Sequence, residues 1–219
     1  SCGLLNGLLI VKGRLQPVIA TLATGAFFSG LALMVRPQAG GNVDADLGEF
    51  FISSMVPYAP NSLITLVILT ILVWYPLRRS ALGRGMFAAG SAREAGHLSG
   101  LKVDRSIIAA YVFSGLFCAF AGLFLAFQAL AGDPRVGVTY TINSIAAVVI
   151  GGIALRGGSG TVLSAIVGAF TLRTINSTLL FSGMPPLSQP FFEGTVLVVA
   201  IVFASLGLVR RANRLEALK

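Results

Sequence analysis

Few residues in this chain can do chemistry, and their placement restricts what that chemistry is. His97 is the single histidine. No Cys, Asp or Glu stands beside it at ligand spacing, so neither a metal site nor an acid/base pair is expected there, and a solvated histidine is the expectation. The eight carboxylates avoid the interiors of the apolar runs: Glu94, Asp104 and Glu216 fall in connections on one side, Asp44, Asp46, Glu49 and Asp133 on the other, and Glu193 opens the last run. Carriers driven by protons or sodium commonly keep a carboxylate inside the membrane. Its absence here points to an energy source outside this chain. Gly157, Gly158 and Gly160 are not followed by Gly-Lys-Ser/Thr, so they read as a tight turn between close helices and not as a nucleotide loop. No cofactor, metal ion or catalytic residue is expected.

Arg173 is the one charge deep in an apolar run, one turn before Asn176, with Thr174 and Ser177 beside them. An intramembrane arginine faces the bundle interior or water. The stripe therefore has two readings, a surface that binds a hydroxyl-rich solute through directional hydrogen bonds or an arginine satisfied by backbone carbonyls or a neighbouring helix, and the sequence leaves both open. Asn6, Tyr140, Asn143 and Gln189 are further candidates along a substrate pathway.

These groups need apolar helices to hold them. With 219 residues, 11% of them charged, and a mean hydropathy of +0.87, the chain is not an ordinary soluble domain, in which roughly a quarter of residues are charged. The runs 18–34, 62–75, 107–131, 143–155, 161–181 and 191–208 are read as six membrane spans. The fourth, with 13 residues, is too short for a regular crossing, since at 1.5 Å per residue it reaches about 20 Å against a hydrocarbon core of about 30 Å. It is either a broken helix buried among others or a span extended at its flanks. The opening run 2–11 is shorter still and is read as the end of a truncated helix that starts upstream. Cys2 and Cys118 read as packed thiols without a disulfide framework. The glycines Gly3, Gly7, Gly115, Gly122 and Gly168 suit close helix contacts.

The basic residues fix a topology rather than a nucleic-acid surface. Thirteen of the sixteen lysines and arginines (Lys12, Arg14, Arg78, Arg79, Arg84, Arg93, Lys102, Arg105, Arg156, Arg210, Arg211, Arg214 and Lys219) fall on one side of the spans, and Arg36 and Arg135 on the other. The positive-inside rule then places the 78–105 connection and the basic 209–219 tail in the cytoplasm. The expected fold is an all-α polytopic membrane protein, a single transmembrane domain over 1–219, with a short helix inside the 78–105 loop. In that loop Ser91 and Glu94 have capping-box spacing around Ala92 and Arg93, and Gly100 supplies a stop after Ala95 and Gly96. A helix of about two turns is marginal alone. It is expected to dock, through the small residues Ala92, Gly96 and Ser99, on a cytoplasmic partner protein.

Several segments together resemble the membrane permease subunits of bacterial ABC importers, in the branch that carries ribose and other monosaccharides. They are Asn6-Gly7, the stretch from Gln16 to Thr24, Ala88-Ala89-Gly90, Glu94-Ala95, the stretch from Leu98 to Val103, the stretch from Ser144 to Gly152, and Gly157-Gly158-Ser159-Gly160. The resemblance implies a multi-pass subunit of the bacterial inner membrane, with two cytoplasmic ABC ATPase subunits, a second permease subunit (a second copy or a paralogue) and a periplasmic or lipoprotein sugar-binding protein as partners. The Ser91 to Ser99 helix, with Gly100 after it, would be the coupling helix seated on the ATPase. One departure is that relatives often have a small residue and Asn-Asn where this chain has Arg173 and Asn176-Ser177, so the particular sugar is not carried over. Two alternatives remain. A branched-chain amino acid permease shares the glycine-rich turn and the coupling loop, although no intramembrane acid is present for the ammonium group, and an ion-coupled carrier acting alone is the other.

Overall fold

The structure is a computed structural model that describes residues 2–41, 43, 45–53, 61–155 and 157–183, together with Phe191, Phe192, Gly194, Thr195, Val198, Val199 and Val202. Asp44, Arg156, Gln189, Glu193, most of the sixth apolar run and the basic tail lie outside the described residues. Those described form helices joined by short links: α1 Cys2–Val11, α2 Pro17–Val35, α3 Ala45–Ile52, α4 Asn61–Leu69, α5 Tyr75–Arg79, α6 Ala81–Ser91, α7 Arg93–Leu98, α8 Val103–Ala129, α9 Val136–Ile150 and α10 Val162–Phe181. A π-helical segment, Thr70–Trp74, joins α4 to α5, so that 61–79 is one continuous helical rod. Among the described residues, four helical stretches (Pro17–Val35, Asn61–Arg79, Val103–Ala129 and Val162–Phe181) are long and apolar enough to cross a membrane. The protein is a polytopic α-helical membrane protein.

Large apolar side chains such as Leu22, Phe27, Leu72, Phe120 and Phe170 stand exposed on these helices. In lipid that costs little, because the surrounding tails are as apolar as leucine and helix association rests on close backbone approach instead. Two compact units, Ser1–Gly137 and Val138–Lys219, are built in this way. In the first, α1 lies on α8 through small residues. A methyl group added to Gly3 would meet the Tyr111 carbonyl, one added to Gly7 would lie 3.0 Å from the Ile108 Cα, and one added to Gly115 would lie 3.1 Å from the Gly3 backbone. Gly122 differs from the expectation, with no atom of the described residues within 4 Å of such a methyl. Cys2 and Cys118 are free and exposed rather than packed, each on the outer surface of its helix.

In the second unit the short helix is short for a visible reason. It starts at Val136, seven residues before the expected span, and ends at Ile150. The stop is a Schellman closure: Gly152 (φ +76°) donates to the Val149 carbonyl at 2.9 Å and Ile153 to the Val148 carbonyl at 3.1 Å, a backbone turn that favours glycine. At 15 residues it spans about 22 Å, still below the hydrocarbon thickness. The flanking residues Thr139 to Ile142 do extend it, while Leu155 lies beyond its end.

Candidate functional site

The 78–105 connection folds as two helices, not one. Ser80 caps α6: its Oγ accepts from the Gly83 N–H at 3.1 Å and donates to the Leu77 carbonyl at 2.7 Å. Ser91, expected to start the second helix, instead ends the first, its Oγ donating to the Phe87 carbonyl at 3.1 Å. The residue that opens α7 is Ala92, extended at φ −157°, ψ 87°, with no side-chain cap. The capping box around Ser91 and Glu94 therefore does not form. Contact with α8 carries α6 through Ser91: Gly85 is buried with no room for a methyl against Ser106, itself 2% exposed.

Three contacts fix α7. Gly96 is buried, and a methyl there would lie 3.0 Å from the Val103 Cγ2 and 3.1 Å from the Ala88 Cβ. Arg93 Nη2 donates to Asp104 Oδ1 at 2.8 Å, and His97 Nε2 stands 3.9 Å from the same oxygen. The helix stops as the sequence indicates, since Gly100 (φ +75°) donates to the His97 carbonyl and Leu101 to the Gly96 carbonyl, a second Schellman closure. These contacts change the expected docking face. Gly96 is occupied by this chain's own Val103, whereas Glu94, Ala95 and Leu98 point outward, and Leu98 is 90% exposed.

The second candidate region is the α9–α10 seam. Thr161 caps α10, its Oγ1 accepting from the Ser164 N–H at 3.2 Å. A methyl on Gly168 would meet the Ala147 carbonyl and lie 2.7 Å from the Gly151 N, so the two backbones touch here. Ala146, Ala147 and Leu172 are buried together, with Ile150 packed on them. Asn176 follows Leu172 by one turn on the same buried face, and Asn143 precedes Ala147 by one turn, half-buried. The two amides thus extend one seam.

Arg173 does not join them. It is exposed, as is Tyr140, and Thr174, expected to share its stripe, is engaged by its own helix, its Oγ1 donating to the Phe170 carbonyl at 2.9 Å. Asn6 stands on α1 in the other unit, its Oδ1 buried without a hydrogen-bond partner among the described residues. Among those residues no three His, Cys, Asp or Glu side chains are grouped as metal ligands would be. Sequence reasoning missed Leu98 as the exposed residue, Asp104 as the partner of Arg93 and Ser80 as the cap. The signal for the cap, a serine directly before the helical run that starts at Ala81, was there to find.

The family described as branched-chain amino acid transport system / permease component matches residues 1–201. This chain belongs to that family. Among relatives in it, the ribose import permease protein of Bacillus subtilis (strain 168) is 34% identical over 202 residues, covering 90% of this chain and 62% of the relative. The galactose/methyl galactoside import permease protein of Haemophilus influenzae is 32% identical, covering 95% and 64%, and the ribose import permease protein of the same organism is 31% identical, covering 91% and 63%. The chain thus spans under two thirds of the length of these permeases. No solved structure matches it significantly.

Proposed function

We propose that this chain forms a membrane-spanning permease domain, over 1–219, of an ATP-driven ABC importer of the bacterial inner membrane that carries a monosaccharide. Six spans follow the α1 segment, and the 78–105 loop and the 209–219 tail face the cytoplasm, where the basic residues gather. The chain has no ATPase site of its own in this reading. Two cytoplasmic ATPase subunits supply the energy, a second permease subunit completes the pathway, and an outer sugar-binding protein delivers the solute. Coupling runs through Ser91 to Gly96 and Gly100, with Leu98 added as the apolar anchor, and the pathway draws on Asn6, Tyr140, Asn143, Arg173, Asn176 and Gln189.

One observation carries the coupling assignment: α7 is held on its inner side by Gly96 and Arg93 while Glu94, Ala95 and Leu98 are presented outward. The sugar assignment is supported by the names of the relatives, ribose and galactose permeases. The test is reconstitution of the complex in proteoliposomes. Leu98→Asp and Glu94→Lys are expected to cut substrate-stimulated ATP hydrolysis and uptake about tenfold or more, the scale of losing a central interface anchor, with membrane insertion unchanged. Unaltered stimulation in both variants would refute the coupling role. The family description favours a second reading, a branched-chain amino acid as solute; labelled leucine and labelled ribose or galactose, supplied with the binding protein, separate the two. Uptake driven by a proton or sodium gradient without the ATPase would refute both.

A further inference from the structure

The 61–79 rod ends its apolar run on two aromatic residues, and an arginine follows each one turn later. Arg78 lies over the Trp74 ring, its Cζ 5.0 Å from the centroid, and Arg79 lies over the Tyr75 ring at 4.3 Å. Both arginines are exposed, and among the described residues neither is paired with a carboxylate, the ion pairs there being those of Arg93 and His97 with Asp104. Arg84, also exposed, donates from Nη1 to the Arg79 carbonyl at 3.1 Å and brings a third guanidinium to the same place. Three unneutralised positive charges thus stand where an apolar rod leaves the bilayer.

Tryptophan and tyrosine rings settle at the depth of the lipid headgroups, apolar body inward and polar tip outward. A guanidinium laid on such a ring is covered on one face and fixed in plane, while its N–H donors remain directed sideways. That planar fork matches a phosphate group bidentately. At this depth the phosphate within reach belongs to a lipid. The π segment Thr70–Trp74 ends on the first ring of the cluster and leads directly into the second, Tyr75. Such turns are rare and recur at functional sites.

We propose that Trp74, Tyr75, Arg78, Arg79 and Arg84 form a site for the phosphate of an anionic phospholipid, which holds the end of this span at the membrane surface. Each arginine near an anionic surface contributes about fivefold in lipid preference, the factor corresponding to ~1 kcal/mol. Trp74 is the chain's single tryptophan, so its fluorescence reports from inside the site.

The full chain is reconstituted in phosphatidylcholine vesicles, and Trp74 emission is followed as brominated phosphatidylglycerol or, in parallel, brominated phosphatidylcholine is added. Half-quenching is expected at a mole fraction on the order of tenfold lower for the anionic lipid. Arg78→Gln with Arg79→Gln is expected to cut that preference to no more than the roughly fivefold that Arg84 alone can give, while quenching by brominated phosphatidylcholine stays the same, which shows that the variant inserts to the same depth. Lys12→Gln with Arg14→Gln removes equal charge elsewhere and is expected to retain the preference. Inorganic phosphate, added at the ionic strength of a chloride control, is expected to displace nothing. Equal quenching by the two lipids, a preference that survives undiminished in the Arg78/Arg79 variant, or its equal loss in the Lys12/Arg14 variant would overturn the proposal. Displacement by inorganic phosphate would overturn the lipid assignment in favour of a free anion.

Discussion

The loop cluster of α6 and α7 and the α9–α10 seam both depend on glycine, yet they use it to opposite ends. At the seam, Gly168 and Gly151 let two apolar helices touch backbone to backbone, and the contact faces inward on Leu172 and Asn176. In the loop, Gly96 tethers a six-residue helix by one side only, so that its other side is free to carry Leu98. A glycine between two long helices closes a surface. A glycine beneath a short helix opens one on the far side.

Substitutions at the two regions should therefore separate stability from coupling. The largest effect is expected from Gly168→Leu, which drives a side chain into the Ala147 carbonyl and the Gly151 backbone; overpacking costs about 1–3 kcal/mol or more where backbone cannot yield. Thermal unfolding in detergent should show a clear fall in midpoint together with reduced yield. A normal midpoint would mean that the seam is loose. Gly96→Val is expected to cost about 1–3 kcal/mol by the same measurement, because Val103 is fully buried and offers little space. Leu98→Asp, two residues away, is expected to change the midpoint by less than about 0.5 kcal/mol equivalent. If those two variants prove equally destabilising, the one-sided tether is the wrong description of α7.

Smaller effects sharpen the contrast. Ser80→Ala should cost about 1 kcal/mol, the worth of a helix N-cap, whereas Ser91→Ala should be close to neutral because Ser91 caps nothing. Hydrogen exchange of the Gly83 amide reads the difference directly. A small, salt-dependent effect is expected from Asp104→Asn: the Arg93–Asp104 pair is about half exposed, so its loss should cost about 0.2–1 kcal/mol at low salt and vanish as salt rises.

Much of the fold is legible in the order of residues, for reasons that differ along the chain. Apolar runs give α2, the 61–79 rod, α8 and α10 because in a bilayer composition alone decides what is buried in lipid. Gly100 marks the end of α7 because a left-handed closure favours glycine. The start of α7 is not legible in this way. Ser91 and Glu94 have the right spacing for a cap, but α6 is already committed by its packing against Ser106, and Ser91 continues that helix. Tertiary contact outweighs a local signal worth about 1 kcal/mol. The candidate pathway shows the same limit. Arg173 and Asn176 lie three positions apart, near enough to read as one stripe, yet Gly168 turns the Leu172 and Asn176 face toward α9 and leaves Arg173 exposed. The π segment has no counterpart in the hydropathy pattern, since Thr70 to Trp74 is apolar in either helix type.

The link between α7 and α8 is four residues long, Ser99 to Lys102, and it is braced on both sides by the buried Val103 and by the Arg93–Asp104 pair. So short a braced joint has little freedom to bend independently of the helices it joins. α8 is 27 residues long, a rod of about 40 Å. Any rotation of α7 that preserves these contacts works on α8 as a handle works on a lever, and a tilt of about 5° displaces its far end by about 3.5 Å, the diameter of a small solute group. Because α1 is seated on α8 through Gly3 and Gly7, any such tilt would carry a pair of helices and not one.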